Sequence, residues 1–211
     1  MLLSEIAIRL ESGNAKMVRE MVEKALEEGF APETILNEGL LAGMDVVGEK
    51  FKNYEIFVPN VMVAARAMKE GLGVLKPHLA AAGNASIGKV CIGTVSGDLH
   101  DIGKNLVKIM MEGKGLEVVD LGTDVSAETF ISTAVEQHCD VICCSALLTT
   151  TMCVMEDVVK LAEEKGIRDK VKIMIGGAPV SEEYCRSIGA DAYTPDAATA
   201  AEKAAAFCRG E

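Results

Sequence analysis

The first eighty or so residues carry apolar side chains at spacings of three and four, a pattern typical of amphipathic helices. One such run covers residues 17–29, and another follows Pro32 and reaches Phe51. Two more runs cover residues 2–10 and 58–75. Pro32 suits the first turn of a helix, and Gly29 suits the end of one. The pattern therefore predicts a bundle of about four helices.

The period changes after the segment 80–88, whose small residues and glycines are typical of a linker. Short apolar, β-branched runs then alternate with helical patterns, which predicts a parallel sheet covered on both faces. The predicted strands lie at residues 89–95, 117–122, 140–148, 172–180 and 192–193. We therefore predict an α/β protein, with a four-helix bundle at residues 1–85 and a flavodoxin- or Rossmann-like, doubly wound sheet of five parallel strands at residues 89–211.

Composition and charge narrow the possible functions. The 211 residues include 21 Lys and Arg against 32 Asp and Glu, a net charge of -11, which argues against binding to nucleic acid through basic clusters. The longest apolar stretches, such as residues 141–148, are far shorter than the roughly 18 residues that suggest a membrane span. Seven cysteines without a recognisable secretory signal predict reduced thiols and a cytoplasmic location.

The loop after the first predicted strand is a candidate ligand site, because doubly wound sheets bind ligands at the carboxyl ends of their strands. It is not a phosphate-binding P-loop, since five residues separate Gly97 from Gly103 and asparagine replaces the magnesium-binding Ser or Thr. Asp98 and His100 would project to the same side, where the carboxylate can fix the imidazole tautomer and prepare the other nitrogen to bind a metal. The alternative is a solvated histidine beside a helix-capping aspartate.

Two further strand ends carry hydroxyls and glycines, at residues 145–151 and 176–179. Together these would let a bulky ligand approach the backbone and form hydrogen bonds there. Neither loop is specific alone, because such residues are common in turns.

Taken together, the three strand ends resemble the vitamin B12-binding domain of the methionine synthase type. Its pattern is D-x-H-x-x-G, then S-x-L, then G-G, and the matching residues are Asp98, His100 and Gly103, then Ser145 and Leu147, then Gly176 and Gly177. Residues 37–72 resemble the helical cap of methionine synthase and of the small corrinoid proteins in anaerobic methyltransferase systems. The resemblance covers nearly the whole chain.

This resemblance implies a cobalamin or related corrinoid whose own base has left cobalt, with His100 as the axial cobalt ligand (base-off/His-on). Asp98 would hold His100 Nδ1–H, and Thr151 stands where the family carries a serine that completes this relay. The helical cap would cover the upper face of the corrin ring. The other implied cofactor contacts are Asp101, Ile102, Gly103, Ser145, Leu147, Thr149, Gly176 and Gly177 in the sheet domain, and Phe51, Phe57 and Val58 in the cap.

The implied function is that of a methyl carrier rather than a stand-alone enzyme. Cobalt(I) would take a methyl group on a substrate-specific methyltransferase, and the resulting methylcobalamin would pass it to a folate or thiol acceptor on a second methyltransferase. A reductive activase would be a third partner. His100 would detach and rebind in each cycle, with Asp98 stabilising its imidazolium. The segment 80–88 would serve either as a hinge or as a passive tether.

Two other B12-dependent classes remain open. A sensor or regulator shares the cap and the B12 domain, but should carry a signalling or DNA-binding domain as well. The B12-binding subunit of a carbon-skeleton mutase has D-x-H-x-x-G but lacks the helical cap.

Overall fold

The computed structural model describes residues 2–81 and 87–211. The chain forms two compact units, one of Met1–Ile87 with Glu112–Gly115 and one of Gly88–Met111 with Leu116–Glu211. The first unit is helical, and the second contains the sheet. Most of the predicted linker, residues 82–86, lies outside the described residues. Within the described ranges, no helix has both the length and the apolar character needed to cross a membrane.

The helical unit contains four helical runs within residues 2–81, as the apolar spacing predicts. The third run is not uniform, because its middle widens into a π-helical segment. Pro32 occupies its first turn, as expected. The bounds are α1 at Leu2–Glu11, α2 at Ala15–Glu27, α3 at Pro32–Thr34 continued by the π-helical segment Ile35–Leu41 and by α4 at Ala42–Lys52, and α5 at Val58–Ala81.

Close packing explains two features of this unit. A Cβ on Gly43 would lie 2.9 Å from the Ala7 carbonyl oxygen, so the approach of α1 to α4 requires glycine there. Helix α5 continues through Pro77, beyond the predicted end at residue 75. Leu75 and Leu79 are both buried, so the apolar spacing itself continues past the proline.

The second unit is a five-stranded, all-parallel sheet with strand order β2-β1-β3-β4-β5, the flavodoxin-like order, and the predicted fold class is confirmed. The strands are β1 at Lys89–Thr94, β2 at Glu117–Asp120, β3 at Val141–Ser145, β4 at Lys172–Gly176 and β5 at Ala192–Tyr193. The helices are α6 at Ile102–Gly113, α7 at Ala127–Glu136, α8 at Cys153–Glu164, α9 at Glu182–Ile188 and α10 at Ala197–Arg209.

Strand register brings the three predicted loops to one edge of the sheet. Thr94, the last residue of β1, pairs with Ser145 of β3, which in turn pairs with Gly176 of β4. The loops that follow these three residues therefore start side by side. All seven cysteines are free.

Candidate functional site

The loop after β1 holds His100 against a buried carboxylate. His100 Nδ1 lies 2.7 Å from Asp98 Oδ1, and the His100 backbone N–H donates to the same oxygen at 3.0 Å. The Thr94 hydroxyl donates to the His100 carbonyl oxygen at 3.0 Å, which ties the loop to the end of β1. Because the carboxylate accepts the Nδ1 proton, Nε2 keeps its lone pair, on a side chain that is 53% exposed.

The Asp98 side chain is fully buried although it carries a charge. Its second oxygen, Oδ2, accepts the Leu147 N–H at 2.7 Å and the Leu148 N–H at 3.1 Å. Burial acts to raise the pKa of this carboxyl, but the hydrogen bonds from His100, Leu147 and Leu148 outweigh burial and hold the pKa well below its usual range. Asp98 is therefore an anionic bridge between the loops after β1 and β3.

Thr151 joins this cluster from the turn before α8. Its Oγ1 lies 3.2 Å from Asp98 Oδ2 and 2.9 Å from the Leu148 carbonyl oxygen. Since a hydroxyl has one proton, it donates to one of these acceptors at a time. The side chain is buried, so the hydroxyl, the two backbone N–H groups and His100 together enclose the carboxylate.

A cavity of about 390 Å³ lies at the carboxyl ends of the strands. Leu106 and Val107 of α6 and Ala197 and Ala200 of α10 contribute to its largely apolar wall. The lining residues that the sequence singled out are Gly103, Ser145, Gly176 and Gly177. The sequence missed the contribution from beyond β5, where Thr194 and Asp196 line the cavity, because no motif marks that loop.

The two glycines at the end of β4 have different surroundings. Gly177 has a φ of +127°, and a Cβ there would lie 1.9 Å from the Ala146 carbonyl oxygen. Only glycine therefore allows the turn after β4 to pass so close to the loop after β3. A Cβ on Gly176 would meet nothing nearer than the Thr194 carbonyl oxygen at 3.7 Å, so that position is open on the cavity side.

Two family models, each described as a B12 binding domain, match this chain, one over residues 88–205 and the other over residues 2–76. The first match contains Asp98, His100 and the whole cavity. The chain belongs to the family of B12-binding corrinoid proteins.

Relatives of this corrinoid protein are similar over almost its full length. Dimethylamine corrinoid protein 3 from Methanosarcina acetivorans is 44% identical over 203 residues, which are 96% of this chain and 95% of the relative. The methanol:cobalamin methyltransferase complex MtaBC from Methanosarcina barkeri matches with a TM-score of 0.84 and 33% identity, over 100% of this chain and 80% of that chain. A cobalamin-binding protein from Desulfitobacterium hafniense matches with a TM-score of 0.81 and 29% identity, over 97% and 98% of the two chains.

Other predicted contacts of this corrinoid protein lie outside the cavity. Ile102 is 85% exposed at the start of α6, and Thr149 is exposed in the loop after β3. Asp101 is exposed, and its carboxylate accepts a hydrogen bond from Asn105 at 2.9 Å. The Leu147 side chain is 47% exposed even though its backbone N–H is bound to Asp98. All four residues are thus exposed in the loops after β1 and β3 or at the start of α6.

The predicted cap contacts lie around the connection between α4 and α5. Phe57 is 66% exposed and Val58 is 40% exposed, and Phe51 is half-buried. Tyr54 and Met62 are exposed in the same region. Several large apolar side chains of the helical unit are therefore exposed around this connection.

A buried ion pair that no motif marks joins α6 to the end of β2. Lys104 is 2% exposed, and its Nζ contacts Asp120 Oδ1 at the end of β2. Burial acts to raise the pKa of the Asp120 carboxyl, but the hydrogen bonds from Lys104, Gly122 and Lys108 lower it to about 2. Lys104 shares a helix face with residues 107 and 111, so a charge on an apolar face was the available signal. Leu148, by contrast, contributes to the site only through its backbone N–H and carbonyl groups, which leave no signal in a sequence.

Proposed function

We propose that this protein binds a cobalamin or related corrinoid with the base of the cofactor displaced and with His100 Nε2 as the axial ligand of cobalt. The observation that carries the proposal is the 2.7 Å contact between His100 Nδ1 and the buried Asp98 carboxylate. This contact uses the Nδ1 proton and leaves Nε2 as the nitrogen that can bind a metal.

The surrounding residues fit such a cofactor. Among the described residues, no group of three or more His, Cys, Asp or Glu side chains could hold a metal ion, so a single histidine suits a metal that arrives already chelated by a macrocycle. The largely apolar cavity would take the displaced nucleotide tail, with the Ser145 hydroxyl as a polar contact. Gly176 leaves space there, since it carries no Cβ.

The roles of the chain's own residues follow from their contacts. Asp98 keeps the proton on Nδ1, and the Leu147 and Leu148 N–H groups with Thr151 keep Asp98 in place. The bound corrinoid supplies the cobalt that accepts and releases a methyl group.

We further propose that the protein is a methyl carrier between two enzymes. A substrate-specific methyltransferase would deliver the methyl group, a second methyltransferase with a folate or thiol acceptor would remove it, and a reductive activase would restore the cofactor. Support comes from the relative named for dimethylamine and from the similarity to the methanol:cobalamin methyltransferase complex. These names favour methylated amines or methanol as the donor class.

The division of labour between the two parts of the chain is also a proposal. Residues 89–211 would hold the lower face of the cofactor, and residues 1–85 would shield the upper face with Phe51, Phe57 and Val58. The exposure of Phe57 and Val58 supports this role, because exposed apolar side chains favour contact with another apolar surface. The seven free cysteines support a reducing, cytoplasmic location.

Electron paramagnetic resonance tests the cobalt ligand directly. The full chain is loaded with cob(II)alamin after labelling its histidines with ¹⁵N, whose nuclear spin splits the cobalt lines into doublets, whereas ¹⁴N splits them into triplets. We expect doublets, and their loss in His100→Ala, while the matched variant His78→Ala, at an exposed position of α5, keeps them. Triplets from the labelled protein would show that the cofactor's own base is the ligand, and failure to bind cobalamin would refute the proposal.

A transfer assay tests the carrier role. The loaded, reduced protein is mixed with dimethylamine, trimethylamine or methanol and the matching methyltransferase, and methylation of the cofactor is followed by absorbance. For one pair of donor and methyltransferase, we expect a substoichiometric amount of the enzyme to methylate the cofactor of the wild-type protein. Failure with every donor and enzyme pair, in a protein that shows the histidine doublets, would leave corrinoid binding intact and contradict the carrier role for these donors.

A further inference from the structure

The turn that leads into Asp98 is tied to a distant carboxylate that no motif marks. Asp124 Oδ1 accepts the Gly97 backbone N–H at 2.7 Å and the Ser96 hydroxyl at 3.0 Å. The backbone N–H of Asp124 donates to the Asp98 carbonyl oxygen at 3.1 Å. One residue of the loop between β2 and α7 thus contacts three consecutive residues ahead of His100.

The conformation of Asp124 suits this task. Its φ of +55° lies in the left-handed region, which Asp and Asn adopt more readily than other residues that carry a Cβ. Backbone bonds place it there: the Thr94 N–H donates to the Gly122 carbonyl oxygen at 2.9 Å, and the Val125 N–H donates to the Thr94 carbonyl oxygen at 3.0 Å. The Gly97 N–H and the Ser96 hydroxyl hold the pKa of the Asp124 carboxyl below its usual value, so the acceptor stays charged.

The carboxylate of Asp98 is bound by His100 and by the loop after β3, and its backbone N–H donates to the Val95 carbonyl oxygen at 3.1 Å, which closes the turn over Ser96 and Gly97. Those contacts bind neither the Ser96 hydroxyl nor the Gly97 N–H, and both of these groups within the turn donate to Asp124. Gly97 has a φ of +81°, and glycine at such a turn has much conformational freedom to lose. The bonds from Asp124 restrict this glycine directly.

We propose that Asp124 is a positioning residue for His100: by fixing the turn of Ser96 and Gly97, it sets the orientation of the Asp98–His100 pair and hence the fraction of protein whose histidine binds cobalt. This inference rests on the proposed role of His100 as cobalt ligand. Asp124 itself contacts neither the imidazole nor, in this proposal, the cofactor.

Three variants separate the side chain from the backbone conformation. Asp124→Asn keeps an oxygen acceptor and tolerates the left-handed conformation. Asp124→Gly keeps the conformation but removes the acceptor, and Asp124→Ala removes the acceptor and strains the backbone. The conservative variant therefore serves as the rescue, and the glycine variant serves as the test.

Two measurements are made on each variant. The first is hydrogen exchange of the Gly97 amide in the protein without cofactor. Loss of the acceptor should speed this exchange about tenfold in Asp124→Gly, whereas Asp124→Asn keeps a neutral oxygen acceptor and should speed it much less. The second is the fraction of cob(II)alamin that shows the ¹⁵N-histidine doublet. We expect this fraction to fall in Asp124→Gly and Asp124→Ala and to match the wild type in Asp124→Asn.

Each outcome decides a different statement. Unchanged exchange in Asp124→Gly would show that Asp124 does not hold the turn. Faster exchange with an unchanged doublet fraction would give Asp124 a merely structural role, and either result overturns this inference while the cobalt ligand stands. Absence of the doublet in the wild type would instead refute His100 as the ligand, and the inference with it.

Discussion

Replacing Asp98 by asparagine should invert the tautomer of His100. The carboxylate offers only acceptors: Oδ1 receives two hydrogen bonds from His100, Oδ2 receives two from backbone N–H groups, and the Thr151 hydroxyl lies within reach of Oδ2 at 3.2 Å. An amide nitrogen at the Oδ2 position would leave the Leu147 and Leu148 N–H groups without an acceptor. At the Oδ1 position it would leave only the backbone N–H of His100 without an acceptor, because the imidazole Nδ1 can change from donor to acceptor. The second arrangement costs less, and it moves the imidazole proton from Nδ1 to Nε2.

The stability cost can be worked out from the same bonds. The part-buried backbone N–H of His100 loses its acceptor, and the donors on Oδ2 exchange a charged acceptor for a neutral one. A hydrogen bond to a charged group contributes about 1.5–3 kcal/mol, against about 1 kcal/mol between neutral groups, so Asp98→Asn should lower the free energy of unfolding by about 3 kcal/mol. The control Asp101→Asn, at an exposed carboxylate bonded to Asn105, should change it by less than about 0.5 kcal/mol.

Two assays check this prediction on the protein without cofactor. Denaturant unfolding measures the stability, and ¹⁵N NMR of labelled histidine shows which ring nitrogen carries the proton when the imidazole is neutral. We expect Nδ1–H in the wild type and Nε2–H in Asp98→Asn. An Nδ1–H tautomer in the variant would refute the reasoning, because something other than Asp98 would then set the proton.

The pH dependence provides a second check on Asp98. The folded-state pKa of its carboxyl lies below the ordinary value of 3.8, so the charge adds stability fully at about pH 5 and above, and this contribution is lost as the pH falls through the folded-state pKa. The stability gap between the wild type and Asp98→Asn should therefore narrow below about pH 4. A gap that stays constant into acid would mean that the charge contributes nothing.

Three further changes separate packing from ligand contact. Gly177→Ala should lower the free energy of unfolding by more than about 3 kcal/mol, measured with denaturant, because the new Cβ would collide with the Ala146 carbonyl oxygen. The control Gly122→Ala is also at positive φ but in open space, and it should lower the free energy of unfolding by about 1–2 kcal/mol. Equal losses in the two variants would contradict the collision. Gly176→Ala should keep its stability but weaken cobalamin uptake about tenfold in an absorbance titration, and unchanged uptake would show that the cofactor does not use this space. Thr151→Val should lower the free energy of unfolding by about 1 kcal/mol, measured with denaturant, whereas Thr151→Ser, which keeps the hydroxyl, should not. Equal stability of the two variants would show that the hydroxyl contributes nothing.

Local patterns in the chain were sufficient for much of the fold. The predicted strand at residues 89–95 is observed at Lys89–Thr94, and the predicted strand at residues 192–193 is observed at Ala192–Tyr193. Such predictions succeed because the burial of one helix face, or of a whole strand, produces a pattern of apolar residues that are close together in the sequence. The contact between Asp98 and His100 was also predictable, since two residues of one extended segment need no distant partner to meet.

Contacts between distant segments were not predictable in this way. The loop after β3 contributes two backbone N–H groups to Asp98, which lies about fifty residues earlier in the chain. Lys104 pairs with Asp120, and Asp124 holds Ser96 and Gly97. Each of these contacts depends on which strands lie side by side and in which register.

The sequence by itself determined the order of helices and strands, the strand ends that carry polar residues, and His100 as the candidate ligand. The tertiary structure decided how that ligand is held. Only the pairing of Thr94, Ser145 and Gly176 brings the three loops to one edge, where a single buried carboxylate can accept bonds from two of them. The physical reason is that helix and strand patterns are local, whereas satisfying a buried charge takes donors that only the folded sheet brings together.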